Sequence, residues 1–223
     1  LIIPGFVDTH IHYPQTEMVA AYGEQLLEWL NTYTFPTESK FKDVEYSRKI
    51  SKIFLDELLR AGTTTALVFG TVHPESIEAF FEEALQRNLR MIAGKVMMDR
   101  NCPEYLQDTP DSSYTESKSL IERWHNKGRL QYAVTPRFAP TSTKEQLDKA
   151  GELLKEFPSV YLHMHLSENL DEIAWVKDLF PNNTGYLDVY DTSGLLGRRS
   201  VFAHCVHLDD NEWATLSRSE SGI

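Results

Sequence analysis

Six stretches of this chain are short, nearly continuous apolar runs, and they bound its fold more tightly than any other feature of the sequence. They are Pro4–His12 (led into by the apolar Leu1-Ile2-Ile3), Thr63–Gly70, Met91–Met98, Leu130–Pro136, Ser159–Leu166 and Ser200–Val206. Each is followed, after a polar turn, by a segment of helical period. Strands that are apolar along their whole length are buried on both faces, which is the condition of a parallel sheet covered by helices. The intervening helices are expected at Asp43–Arg60, from Pro74 to about Asn88, around Glu116–Lys127, after Ser142-Thr143-Lys144-Glu145, at Glu168–Phe180 and at Asp209–Ser217. In the first of these, Val44, Ile50, Ile53, Phe54, Leu55 and Leu58 form the apolar face, and Gly62 closes it as a left-handed residue past the end. Ile77, Phe80, Phe81, Ala84 and Leu85 do the same for the second. The Ser142-x-x-Glu145 pattern reads as a capping box. A short helical turn is expected at Gly23–Leu30, interrupted at Pro36.

Two architectures satisfy that alternation, the (β/α)₈ barrel and the open doubly wound sheet. No glycine-rich phosphate loop follows any strand, which weakens the second. The polar residues gather just after strand ends, at His10 and His12, at Arg137, at His165 with Glu168, and at His204. Placing function at the C-terminal ends of several strands is the habit of a barrel. The expectation is therefore an α/β (β/α)₈ TIM barrel truncated after about six βα units, two short of closure, within one partial domain over residues 1–223. The chain opens on Leu1-Ile2-Ile3 without an initiator Met and reads as cut from something longer.

Charge narrows the partners. With 22 Lys+Arg against 33 Asp+Glu the formal net charge is −11. Nucleic acid and anionic membranes call for a basic footprint, so neither is expected, whereas an uncharged nucleobase is not excluded. Two cysteines, Cys102 and Cys205, indicate no disulfide framework and point to a reducing, cytoplasmic compartment. No apolar run approaches the length of a membrane span, about 20 residues.

His10-Ile11-His12 places two imidazoles on one face of a strand end, because residues two apart in a strand point the same way. Three other segments complete a constellation: Thr135-Pro136-Arg137-Phe138, His163-Met164-His165-Leu166-Ser167-Glu168 and Phe202-Ala203-His204. Two or three imidazoles with an oxygen ligand and one open position suit a catalytic Zn²⁺. A carboxylate beside such ligands, here Glu168, can carry protons between a metal-activated water and a substrate.

These residues resemble the amidohydrolase superfamily. Gly5-Phe6-Val7-Asp8-Thr9-His10-Ile11-His12 is similar to its first-strand signature, His165-x-x-Glu168 to the motif of its nucleobase deaminase branch, and His204 to its sixth-strand ligand. Within that branch, Leu27–Pro36, Gly62–Ala66, Val134–Phe138 and His165–Asn169 resemble the guanine deaminases. The resemblance implies hydrolytic deamination of guanine to xanthine and ammonia by a zinc-activated water. It implies His10, His12, His165 and His204 as ligands of one Zn²⁺ per subunit and Glu168 as the proton shuttle. It implies Gln15, Trp29, Arg137 and Phe138 as the guanine pocket. The chemistry agrees: Arg137 offers donors only, matching a keto oxygen, and the Gln15 amide offers both donor and acceptor. Trp29 and Phe138 offer faces on which a purine stacks. A homodimer of the full-length protein is a further implication.

The resemblance also requires a metal-binding Asp from an eighth strand, expected beyond Ile223. Asp8 shares the face of the histidine pair and reads as its support. His163 repeats the His-x-His spacing, but the resemblance selects His165, three before the Glu. His163 then reads as a hydrogen-bonded wall residue, His207 as a non-ligand in a turn, and His73 and His125 as structural or solvated. Cys205, expected to alternate to the outside of the barrel, reads as a small buried apolar residue. Two other readings stand beside the leading one: deamination of a different heterocycle such as a pterin, a triazine or cytosine, and an inactive fragment that keeps only metal or purine binding.

Overall fold

The computed structural model describes residues 2–19 and 26–223. Leu1, in the lead-in to the first apolar run, and Gly23–Gln25 of the first expected helical turn lie outside the described residues. The described part of that turn is α1, Leu26–Trp29. It continues without a break through a π turn at Leu30–Thr34 into α2, Phe35–Glu38. Pro36 therefore does not interrupt the helix. In the wider turn ahead of it the Phe35 N–H reaches the Leu30 carbonyl, and Pro36 then sits in the first turn of α2, where its missing N–H costs no hydrogen bond.

The remaining elements alternate as the sequence requires. β1 is Phe6–His12, followed by a 3₁₀ turn at Tyr13–Met18. After α2 come α3, Val44–Arg60, and β2, Thr63–Phe69. Next are α4, Pro74–Gln86, β3, Arg90–Gly94, and β4, Val96–Met97. Then follow α5, Pro110–Trp124, β5, Gln131–Pro136, and α6, Lys144–Glu156. β6, Tyr161–Leu166, leads to α7, Leu170–Leu179, and α8, Tyr186–Asp191. β7, Ser200–His204, and α9, Asp210–Ser219, end the series. The strand order is β1-β2-β3-β5-β6-β7, with β4 set against β5, and the pairings β1–β2, β2–β3, β3–β5 and β6–β7 are parallel. Sequence order equal to spatial order in a parallel sheet, with a helix in nearly every crossover, is the winding of a βα barrel rather than that of a doubly wound sheet, whose order reverses at a switch point.

Two compact units divide the chain. The first comprises residues 1–96, 103–106 and 119–133. Its interior is aromatic: Tyr13 and Phe41 meet edge to face at 5.2 Å, Tyr13 stacks on Phe80 at 5.1 Å, and Phe81 lies 5.7 Å from Trp124. The Tyr13 hydroxyl donates to the Ser76 carbonyl at 2.7 Å, so this ring is buried without an orphaned polar atom. Asp43 caps α3 by accepting from the Glu45 and Tyr46 N–H groups, and Gly62 follows it at φ +86°, the left-handed position foreseen for it. The buried face of α3 is Ile50, Phe54, Leu55 and Leu58 together with Ser47 and Ser51, while Val44 and Ile53 are exposed, against expectation. The two serines fit there because each hydroxyl donates to a carbonyl within its own segment, Ser47 to Phe41 and Ser51 to Ser47. Phe80 is wholly buried in this cluster. Phe80→Ala is expected to cost about 3–5 kcal/mol of stability, read from denaturant midpoints.

The second unit comprises residues 97–102, 107–118 and 134–223. Two local expectations change here. The capping box expected at Ser142–Glu145 does not form, and a single side-chain cap one residue on takes its place. Thr143 is the N-cap and accepts from the Gln146 N–H, while the Gln146 amide bonds the hydroxyls of Ser142 and Ser113. α5 starts at Pro110 rather than near Glu116, taking in Ser112 and Ser113. Asp209 and Glu212 form a full capping box for α9. In the first unit and at its edge, the single run Met91–Met98 is broken at Lys95 into β3 and β4. Among the described residues, no helix is long and apolar enough to cross a membrane.

Candidate active site

In the first unit, β1 ends at His12 and carries His10 and His12 on one face. Their Nε2 atoms lie 3.2 Å apart, with the rings edge to face at 4.9 Å. Phe69, at the end of the neighbouring β2, stacks on His12 at 4.6 Å and meets His10 edge-on at 5.4 Å. That ring fixes both imidazoles from one side. Asp8 Oδ1 accepts the His10 backbone N–H at 3.0 Å, where the β1–β2 register is irregular. Its carboxylate thus props the strand that presents the pair.

In the second unit, β6 and β7 pair in parallel with His165 opposite Ala203 and Leu166 opposite His204. Both strands end by turning into left-handed backbone. Ser167 has φ 51°, His204 φ 74° and Cys205 φ 53°. Three non-glycine residues of this kind at two adjacent strand ends are costly, and such strain gathers where a side chain has to be aimed. Backbone bonds hold the turn: Cys205 N–H donates to the Leu166 carbonyl, and the Val206 and His207 N–H groups both donate to that of Ser167. The rings of His165 and His204 consequently lie nearly parallel, 5.4 Å apart. Glu168 Oε2 stands 3.4 Å from His204 Nε2.

Protonation follows from this geometry. His165 Nδ1 lies 2.9 Å from the Arg137 carbonyl, an acceptor only, so Nδ1 carries the hydrogen and Nε2 keeps its lone pair free to bind a metal. Partial burial lowers the pKa of His204, which favours the neutral imidazole that a metal ligand must be. Burial raises the Glu168 carboxyl above its ordinary value, against the smaller opposing pull of the Arg137 guanidinium. A carboxyl moved toward neutrality is suited to taking up and giving back a proton.

The donor set fits a zinc ion. Two Zn–N bonds of about 2.0–2.1 Å at a tetrahedral angle set their nitrogens roughly 3.3 Å apart, close to the His10–His12 separation. All four candidate histidines are borderline nitrogen donors of the kind zinc selects. The structure brings together His10 with His12 in one unit, and Phe138, His165, Glu168 and His204 in the other, Phe138 meeting His165 edge-on at 6.4 Å. Arg137 and Phe138 are buried directly after β5, and the Arg137 N–H is tied to the Met97 carbonyl at 3.3 Å. Gln15 lies half-buried on the 3₁₀ turn after β1, and Trp29 half-buried at the end of α1. His163 is fully buried within β6. His73 is the N-cap of α4 without a side-chain cap bond, and His125 Nδ1 accepts the Tyr132 N–H.

Cys205 is buried as expected, though by a different route: β7 has already ended, so strand alternation does not decide where the thiol points. Burial pushes this thiol up to about 12. Cys102, only partly buried, is expected to react first with a disulfide reagent at neutral pH, with Cys205 following only on unfolding, as thiol titration with and without denaturant would record.

Sequence reasoning missed the supports beneath these groups. Asn169 and Glu172 make a complete capping box at the start of α7. The N-x-x-E spacing could have disclosed it. Tyr186 and Tyr190, on the unforeseen α8, carried no such signal.

With the geometry in place, comparison with known proteins defines the class. A model of the amidohydrolase family matches residues 1–223, so the chain belongs to that family. It is 65% identical over all 223 residues to a guanine deaminase of Escherichia coli (strain K12), covering 51% of that protein. It is 45% identical, again over its full length, to a probable guanine deaminase of Deinococcus radiodurans, covering 51% of it. A crystal structure of guanine deaminase from C. acetobutylicum with guanine bound in its active site matches 97% of the chain at a TM-score of 0.94 and 36% identity, the match covering 52% of that structure. The fold is thus the parallel α/β barrel type of the amidohydrolases. The chain spans about half the length of the curated relatives it matches.

Proposed function

We propose that the protein carrying this chain deaminates guanine to xanthine and ammonia, using one zinc ion held by His10, His12, His165 and His204. The observation that carries this reading is the direct link between pocket and ligand: the Arg137 carbonyl accepts from both the backbone and the side chain of His165. The group that would read the base and the group that would hold the metal thereby share one rigid backbone.

Zinc, when bound, supplies a water whose pKa falls to about 7. Glu168 would take a proton from water as the water oxygen adds to the amino-bearing carbon, pass it to the adjacent ring nitrogen, and then protonate the departing amine so that ammonia leaves. Arg137 donates to the keto oxygen, the Gln15 amide reads the neighbouring ring edge, and Trp29 and Phe138 enclose the purine plane. A cytoplasmic home and a homodimer complete the proposal.

The test is xanthine formation from guanine by the full-length protein with zinc present, with a pterin and a triazine offered in parallel. Robust turnover of guanine supports the reading. Negligible turnover of guanine alongside hydrolysis of either other ring overturns it. Residues 1–223 alone, about half the length of the curated relatives, are expected to yield no xanthine.

A further inference from the structure

Beneath Glu168 and His165 lies a buried polar network that none of the proposed chemistry uses. Glu172 is 1% exposed. Its Oε2 accepts the backbone N–H groups of Glu168 at 3.1 Å and Asn169 at 3.2 Å, and its Oε1 accepts from the Tyr186 hydroxyl at 2.6 Å. The Tyr190 hydroxyl, 3.4 Å from that of Tyr186, donates to the His165 carbonyl at 2.9 Å and accepts the Ala139 N–H at 2.9 Å. A phenol has one hydrogen to give, and here it goes to His165.

Two of these bonds end on the backbone of groups assigned above to the reaction, the Glu168 N–H and the His165 carbonyl. Ala139 directly follows Phe138, and Glu172 holds the peptide of the proton shuttle itself. A capping box would serve α7 through Glu172 alone. It does not require a second, fully buried tyrosine that joins two different strand ends. We infer that Tyr190 is a positioning residue, a clamp that sets the Arg137-Phe138 segment against His165, with Glu172 setting Glu168 in the same frame. The inference rests on the proposed function for its consequence and on geometry for its existence.

Three measurements on the full chain test it, with Tyr190→Phe as the main variant, which keeps the ring and removes the hydroxyl. The Ala139 amide should exchange with solvent about tenfold faster, having lost its acceptor. Zinc affinity should fall about 10- to 100-fold, the usual cost of losing a group that orients a ligand. In guanine turnover kcat should fall by a comparable factor, with KM rising because the pocket segment is freed as well. Glu172→Gln keeps an oxygen for the Glu168 and Asn169 amides and should retain most of the activity that Glu172→Ala loses. If Tyr190→Phe does not fold, the Glu172 pair decides through zinc affinity and kcat. Unchanged Ala139 exchange, or faster exchange with zinc affinity unchanged, overturns the inference. A wild-type protein that leaves guanine untouched would sink the proposed function instead, while exchange and zinc affinity still judge the clamp.

Discussion

Glu168→Gln in the full-length protein is expected to lower kcat for guanine by about 10²–10⁴-fold, the range in which a positioned acid–base group contributes. The amide keeps the size and the hydrogen-bonding capacity of the side chain but can neither take the proton from water nor return it to the ring. Guanine KM should change little, since Glu168 serves in moving the proton rather than in holding the base. Steady-state assays at saturating guanine separate the two. A variant retaining more than about a tenth of kcat would remove Glu168 from the role given to it.

The same substitution has a second consequence, of opposite sign. Burial raises the Glu168 carboxyl, so the folded state holds this proton to higher pH than the unfolded chain does. Stability from a group of that kind is complete below its unfolded pKa and is lost as pH rises through its folded pKa. Glutamine carries no such loss. Glu168→Gln should therefore melt close to wild type at about pH 4 and higher than wild type at about pH 8, by roughly 1 °C for each ~1 kcal/mol recovered in a protein about twice this chain's length. An inactive variant that is more stable at neutral pH is what a strained catalytic carboxylate predicts. A merely structural carboxylate would destabilise on replacement.

What the sequence made legible follows the range over which its signals act. The six strands and their helices were readable because apolar runs and helical periods are local, and β1 to β7 begin or end within a few residues of where those patterns place them. His10 and His12 were readable because a period of two fixes a face. Other features depended on hydrogen bonds, near or remote in sequence, that no residue pattern announces. Ile53 was placed inside by its period and lies outside, because Ser47 and Ser51 bury their hydroxyls on carbonyls of the same segment and take the inner face. The break at Lys95 has a similar origin, since the Tyr132 hydroxyl, 37 residues on, accepts the Lys95 N–H in place of a ladder bond. The Tyr190 clamp spans 51 residues to Ala139, and no local pattern announces it. The positive φ angles of Ser167, His204 and Cys205 were equally silent, as none of these residues is a glycine. The candidate site side chains were therefore easier to pick out than the groups that hold them.

Zinc is expected to stabilise the full-length protein, and His165→Ala to abolish that effect while His163→Ala keeps it. A ligand that binds only the folded state adds RT ln(1 + [L]/Kd), about 2.7 kcal/mol at a free concentration 100 times Kd. In a protein about twice this chain's length that is roughly 3 °C in the melting temperature. Removing a ligand should cost more than the 10- to 100-fold lost with a supporting residue. At the same free zinc the ratio then falls to about one and the stabilisation to about 0.4 kcal/mol, near the limit of detection. Both histidines are buried in β6 two residues apart, so either truncation lowers the metal-free melting temperature, and the zinc-induced shift is the quantity to compare. His165 is chosen because its Nδ1 is held at 2.9 Å by the Arg137 carbonyl, which leaves Nε2 as the donor. Were His163→Ala to lose the shift and His165→Ala to keep it, the metal would belong to the other histidine, and the link from Arg137 through His165 to the metal would fall with it.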